Sequence, residues 1–514
     1  MAVASIDMSK PVPLTPMAVV AKALVFLATG LLLFAAYTVY MIGQPLFGVI
    51  VTIVALGFLF VFGLRRFYFA RFIYPGIATM ALFVIFPIFY TIYLGFTNYG
   101  SFNLLTYQRV QEVLLSSKIV DKSTAIPFAV AAEGDHYRVY FEDAGAGGYL
   151  SDLVALDGST ANVGASAVNS APEVLLERRD AIKLRKGLAE ISVTLPDGTE
   201  LRNAGLREFA SVTPEFQIAP DGNATRVTDG AVFTPDHATG FYTNAEGEQI
   251  TPGWRTNIGL QNFERIFTSD GIRGPMISIF IWTVIFAVGS VVFTFALGVT
   301  LASILQWPHL RFKAAYRILL ILPYAVPAFI SILVFKGLFN QNFGEINLVL
   351  EALFGLRPEW NTNGFLARCM LLMVNVWLGY PYMMLLAMGF LQSVPEEQKK
   401  AAALEGAGML RVFWTITLPQ ILPPFLPLLL ASFAFNFNNI VLVLLLTRGG
   451  PDMPGTIIPA GETDILGSFT YRIAFMDSGT QFGLSGAITL LIFILVSIMA
   501  YANFVFMRRA ANKG

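Results

Sequence analysis

The sequence predicts an α-helical polytopic membrane protein of eight transmembrane helices, with a large β-rich extracytoplasmic domain inserted between helices 3 and 4. Three observations lead there. Of 514 residues, 55% are hydrophobic and only 13% charged, about half the charged share of an ordinary soluble chain. The apolar residues gather into eight runs, each near the roughly 20 residues a helix needs to cross a bilayer. Between the third and fourth runs lies a polar stretch, residues 98–275, long enough to be a domain with its own core.

In chain order the runs cover residues 19–41, 46–64, 72–94, 277–304, 316–335, 371–391, 421–446 and 484–506. The first is too long for the apolar region of a signal peptide and a second follows at once, so it reads as a retained anchor. Basic residues set the orientation, because cytoplasmic loops collect Lys and Arg. One set of flanks and loops holds fourteen: Lys10, Lys22, Arg65, Arg66, Arg71, Arg311, Lys313, Arg317, Lys399, Lys400, Arg411, Arg508, Arg509 and Lys513. The alternate short loops hold five: Lys336, Arg357, Arg368, Arg448 and Arg472. Both termini are therefore expected in the cytoplasm, as an even number of spans requires.

The polar stretch is then extracytoplasmic. It carries 15 Lys+Arg against 23 Asp+Glu, while the rest carries 19 against 11. The formal net charge of zero is thus an acidic exported domain cancelling a basic membrane body. Alternation at 136–141 (HYRVYF) and 191–195 (ISVTL) predicts strands. Asp157-Gly158, Asp197-Gly198, Asp221-Gly222 and Asp229-Gly230 predict turns between them. The chain's single cysteine, Cys369, lies elsewhere, so a hydrophobic core and not disulfides must hold this domain.

Several functions are excluded. Neutral net charge gives no electrostatic footprint for nucleic acid. His136, His237 and His309 lie far apart, and no Cys/His cluster has metal-ligand spacing. No metal, cofactor or catalytic set is expected. No Gly-Lys dipeptide occurs, so the chain has no P-loop and cannot bind ATP by one.

The last five spans hold no ionisable residue away from their ends, Lys336 closing the fifth, which counts against a proton-coupled carrier. The third, fifth, sixth and seventh spans instead carry prolines and uncharged polar groups: Pro75, Pro87, Pro323, Pro327, Pro381, Pro423, Pro424 and Pro427. Such breaks are tolerated where helices pack or line a cavity. Asn375, Gly379 and Tyr382 fall on one helical face at i, i+4 and i+7. Phe435 and Asn439 are i, i+4, with Asn436 three before Asn439, and Tyr324 pairs likewise with Ala328. Two readings stay open. Amides bond paired hydroxyls and rings cover apolar sugar faces, so these faces suit an uncharged polyhydroxylated ligand. Alternatively the asparagines join helices and the tyrosines belong to an interfacial belt.

The cytoplasmic loop between the sixth and seventh runs is the sharpest motif. It reads Lys400-Ala401-Ala402-Ala403-Leu404-Glu405-Gly406-Ala407, and nine residues after Gly406 comes Ile416-Thr417-Leu418-Pro419. Small residues, a mid-loop glycine and a terminal Leu-Pro predict two short helices with a tight turn.

This spacing resembles the EAA loop of ABC-importer permeases, EAA-x3-G-x9-I-x-LP. The remainder resembles the MalF-type permeases of maltose/maltodextrin importers, a branch of the binding-protein-dependent transport permeases. The supporting stretches are YPGIATMALFVIFP (74–87), RILLILPYAVPAFISILVFKGLFNQ (317–341), NVWLGYPYMM (375–384) and SFAFNFNN (432–439). The likeness covers nearly the whole chain, including the long insert. It implies three N-terminal transmembrane helices (1–97), a periplasmic domain (98–275), and a permease core (276–514) of five helices with its coupling loop at 396–419. It assigns ATPase coupling to Lys400, Ala401, Ala402, Glu405, Gly406, Ile416, Leu418 and Pro419, with Lys400 where the family's eponymous glutamate stands. It assigns sugar binding to Tyr324, Asn375, Leu378, Gly379, Tyr382, Phe435, Asn436 and Asn439, with Ala328 where a small hydroxyl residue would suit better.

The implied partners are a second permease subunit of the MalG type, a cytoplasmic ATPase dimer of the MalK type, a periplasmic sugar-binding protein, a maltose- or maltodextrin-like sugar and membrane lipid. The implied location is the bacterial inner membrane. The implied role is non-catalytic: ATP hydrolysis belongs to the partner, and the exported domain holds the binding protein. A permease for another disaccharide or oligosaccharide, a secondary carrier and a ligand-sensing membrane protein are the competing readings.

Overall fold

Prolines shape the first helices, all of which are long and apolar. In the computed structural model, which describes residues 16–134, 136–142, 147–205, 207–307, 309–476 and 480–511, α1 (Pro16–Met41) and α2 (Pro45–Gly63) form a hairpin. Next come α3 (Ala70–Met80) and α4 (Phe86–Gly95), joined by a π turn over Ala81–Ile85 into one 26-residue helix. A proline removes the bond to the carbonyl four residues earlier and crowds it. For Pro87 that carbonyl is on Phe83, inside the π turn, which is the local adjustment. Lys10 and Lys513, counted above toward the cytoplasmic flank, lie outside the described residues.

The β-rich unit, Phe102–Thr256, opens with α5 (Tyr107–Ser116), capped by Thr106. A closed barrel follows: β1 (Lys118–Glu133), β2 (His136–Glu142), β3 (Gly148–Ser151), β4 (Ala161–Val168), β5 (Ile191–Thr194), β6 (Glu200–Asn203) and β7 (Glu208–Pro214). The helices α6 (Arg178–Lys183) and α7 (Arg185–Glu190) lie between β4 and β5, the barrel's one parallel pair. Val130, Val139, Phe141, Val193, Leu201 and Phe209 fill its core. A second sheet contains β8 (Phe216–Ile218), β9 (Ala224–Arg226), β10 (Val232–Asp236), β11 (Phe241–Thr243) and β12 (Gln249–Ile250).

Both strands expected from alternation are present, as β2 and β5. All four Asp-Gly pairs are turns with glycine at positive φ. In each, the aspartate accepts the N–H two residues on, Ser159, Thr199, Asn223 or Ala231, at 2.9–3.1 Å. The Ser159 hydroxyl and then its N–H hold the Asp157 carboxyl below the ordinary range, and the backbone bonds do the same first of all for Asp197 and Asp229.

The unit is narrower than the polar stretch 98–275. Helix α8 (Gln261–Thr268) is polar in composition, yet its apolar face buries Ile266 in the helical core. The helical unit continues with α9 (Asp270–Gln306), α10 (Lys313–Ala325), α11 (Ala328–Leu338), α12 (Glu345–Phe354) and α13 (Gly364–Gln392). Then come α14 (Glu396–Leu404), α15 (Met409–Val412), α16 (Leu418–Phe437), α17 (Ile440–Leu446), α18 (Leu466–Phe475) and α19 (Phe482–Ala511). A second π turn, Phe413–Thr417, joins α15 to α16 just ahead of Pro419.

Among the described residues, seven helices are long and apolar enough to cross a membrane, or eight if one bent pair makes a single crossing. Two expected runs are interrupted. The fifth bends by 93° between α10 and α11. Pro327 lacks an N–H and drives Val326 to extended backbone, φ −87° and ψ 130°. The seventh ends at Phe437, and Asn439 starts α17 afresh by accepting the Leu442 N–H at 3.4 Å.

Small residues set the central packing. Ser290, Thr294, Gly298 and Ala302 recur every four residues along the buried seam of α9. A Cβ on Gly298 would lie 2.7 Å from Met383 Cβ, and one on Gly379 would lie 2.9 Å from Thr294 Cγ2. With Ser290 bonded to Asn375, the register advances together, so α9 and α13 run parallel. Against α16 it reverses: Ala287 clusters with Phe437, while Val299 clusters with Ile421.

Candidate functional site

The three asparagines of the polar faces meet. Asn375 Nδ2 donates to Asn436 Oδ1 and to Ser290 Oγ, each at 2.7 Å. Asn439 Nδ2 donates to Asn375 Oδ1 at 3.3 Å. Asn436 Nδ2 turns back to the Ser432 carbonyl at 2.8 Å and its Oγ at 3.3 Å. One polar knot therefore ties α9, α13, α16 and the cap of α17, with Asn375 and Asn436 buried. In this conformation the amides join helices, as the second of the two sequence readings described. Ser290 is fully buried and pattern reading did not find it, since a lone serine in a long apolar helix is unremarkable there.

The other expected sugar residues fall in different surroundings. Asn375, Gly379 and Tyr382 do share a face, because α13 is uninterrupted. Phe435 and Asn439 do not, because the helix ends between them; Phe435 is 69% exposed. Tyr324 and Ala328 stand on opposite sides of the bend, and Tyr324 is 57% exposed. Tyr382 is exposed, while Leu378 packs with the cluster around Trp282 and Val374. A cleft of about 680 Å³ lies in the β-rich unit between β1, α6 and α7, apart from these residues.

The loop at 396–419 has the expected helix–turn–helix form. Gly406, at φ +83°, ends α14. Its N–H bonds the Ala403 carbonyl and the Ala407 N–H bonds that of Ala402, both at 3.0 Å, which is a Schellman turn. Gln420 Nε2 donates to Gln398 Oε1 at 2.6 Å, fastening α14 to the start of α16. Leu418 and Phe413 anchor the inner side in the core, and Pro419 follows the π turn that joins α15 to α16 in one 29-residue helix, the local adjustment that accommodates its missing N–H. Outward it presents Ala401, Glu405 and an apolar group: Leu404 is 91% exposed and Leu410 78%. Lys400 pairs with Glu396 at 3.4 Å across one helical turn, a solvated pair of about 0.3–0.5 kcal/mol.

A further buried polar group escaped the sequence reading. Asp464 is fully buried. It accepts from Arg472 Nη1 at 2.7 Å, Ser468 Oγ at 2.7 Å and the Gly461 N–H at 2.9 Å. Arg472 Nη2 also donates to Asp452 at 2.6 Å, and its Nε finds no acceptor among the described residues. Burial pushes the Asp464 carboxyl above its ordinary value, with Arg472 the main force against that. The spacing 464, 468, 472 was a readable one-face signal; counting Arg472 only as a loop charge hid it.

Sequence comparison covers both units. The family described as the maltose transport system permease protein MalF P2 domain matches residues 105–259. The binding-protein-dependent transport system inner membrane component matches residues 294–509. The maltose/maltodextrin transport system permease protein MalF of Shigella flexneri is 45% identical over 473 residues, 90% of this chain and 92% of that protein. Its namesake from Yersinia pestis is 45% identical over 501 residues, 94% and 93%. A bacterial ABC transporter structure, involved in import of the acidic polysaccharide alginate, aligns at TM-score 0.42 and 19% identity, covering 49% of this chain and 84% of that one.

Proposed function

The chain belongs to the MalF family of maltose/maltodextrin transport permeases, and from that premise we propose that it is the membrane-spanning subunit of an ATP-driven importer. It carries maltose/maltodextrin-type oligosaccharides across the inner membrane by alternating access. The observation that carries the proposal is similarity running through the β-rich unit and the helical unit alike. The subunit is non-catalytic. A separate MalK-type ATPase dimer closes on the exposed Leu404–Gly406–Leu410 surface, and a MalG-type permease supplies the other half of the pathway. The β-rich unit holds a periplasmic sugar-binding protein.

Eight crossings, with both termini cytoplasmic and the β-rich unit periplasmic between the third and fourth, fit the packing directions. Parallel α9 and α13 need an odd number of crossings between them, which supports the bent α10–α11 pair as one crossing. The antiparallel α9–α16 and α13–α16 contacts agree, and so does the basic set on one side.

In this proposal Tyr324, Tyr382 and Phe435 cover sugar faces beside Gly379 and Leu378, while Asn375, Asn436 and Asn439 exchange their mutual bonds for sugar hydroxyls as the helices shift. Tyr382→Ala is expected to lower uptake about tenfold, since ring contacts of this kind are worth about 0.5–1.5 kcal/mol beyond their buried area. Assembly with the ATPase should be unchanged. Uptake by reconstituted importer against a panel of glucose oligomers measures it; wild-type kinetics would leave the aromatic side chains as an interfacial belt.

A further inference from the structure

Ser290 stands outside every expected site residue, yet it holds the centre of the amide knot. We propose that Ser290 is a positioning residue for the sugar site: its Oγ anchors the Asn375 amide while that amide trades its other partners for sugar hydroxyls. The inference rests on Asn375 being a sugar contact.

The hydrogen-bond inventory leads there. A primary amide has two N–H donors and one carbonyl. Both Asn375 donors are used, on Ser290 and Asn436, and its carbonyl takes the Asn439 N–H. Asn436 spends both of its donors on Ser432. A hydroxyl that is to accept from the Asn375 amide therefore has to displace one of its present N–H bonds, and the fold decides which.

Ser290 and Asn375 sit on α9 and α13, whose backbones come into close contact at Gly298, while Gly379 packs on the Thr294 methyl, neither with room for a Cβ. Asn436 and Asn439 instead flank the interruption between α16 and α17. The bonds from Asn375 toward α16 and α17 are the ones free to part. The bond to Ser290 persists and fixes which edge of the amide faces the pathway. Removing Oγ leaves a buried N–H without its acceptor and the amide free to turn.

The test uses the complete importer in vesicles, this chain with its partner permease, ATPase and binding protein. Initial uptake is measured against sugar concentration for S290A, N375A and the double variant. S290A is expected to raise the apparent KM roughly tenfold with maximal rate within about twofold, because one buried hydrogen bond is lost. The double variant should be no worse than N375A, since both changes act through one amide. Wild-type KM in S290A, or effects that multiply in the double variant, overturns the proposal while N375A alone still supports the sugar site. Unchanged KM in N375A overturns both. Should S290A not assemble, S290C keeps the volume with a weak acceptor, and an unchanged KM there overturns the proposal equally.

Discussion

Replacing Arg472 with methionine is expected to cost about 3–5 kcal/mol, the penalty for stranding a buried charge by removing its partner. Asp464 has no solvent to fall back on, and Arg472 supplies both its counter-charge and one of its three hydrogen bonds. The 447–465 connection folds over this pair by close approach. A Cβ on Gly461 would lie 2.0 Å from the Gly449 carbonyl oxygen, and one on Gly449 would lie 2.3 Å from Asp464 Oδ1. The same segment reaches into the helical unit, where the Trp282 indole donates to the Thr463 carbonyl at 3.4 Å. Thermal unfolding in detergent should therefore shift sharply downward for Arg472→Met. Arg472→Met combined with Asp464→Asn should recover much of the loss, because no charge remains buried and the amide oxygen still accepts from the Gly461 N–H. Equal damage from the single and double variants would mean the connection is held by something other than this pair.

Gly406 carries the second large effect, on coupling and not on folding. At φ +83° an L-residue costs roughly 1–2 kcal/mol, and a β-branched one more. The turn is exposed, so the chain should accumulate normally while the angle between α14 and α15 is lost. Uptake is expected to fall about tenfold or more for Gly406→Val, less for Gly406→Ala and least for Gly406→Asn, which tolerates the left-handed region best. Copurification of the ATPase with each variant should follow the same order. Undiminished copurification across the series would remove this turn from the docking surface.

Most of the helical unit was legible because membrane length and apolar composition are visible in one dimension. Its two interruptions were less so. Pro327 sat in plain view, but a proline permits anything from a mild kink to the 93° bend observed. Asn438 and Asn439 within an apolar run marked a helix restart that hydropathy averaging smoothed over. The β-rich unit is narrower than the polar stretch because α8 is polar by count and buried by face. In the candidate site, the α13 face followed from helical periodicity alone. Ser290 and the Asp464–Arg472 pair did not, since each acquires meaning from a partner on another element or from burial that composition does not report.

A permease subunit that needs a partner's ATP hydrolysis is tested most sharply by sugar uptake into vesicles. With the second permease, the ATPase, binding protein and ATP all present, maltodextrin should accumulate, and none should when ATP or the ATPase is withheld. Uptake by this chain alone, or uptake indifferent to ATP, would contradict a role as the ATP-dependent importer's membrane subunit.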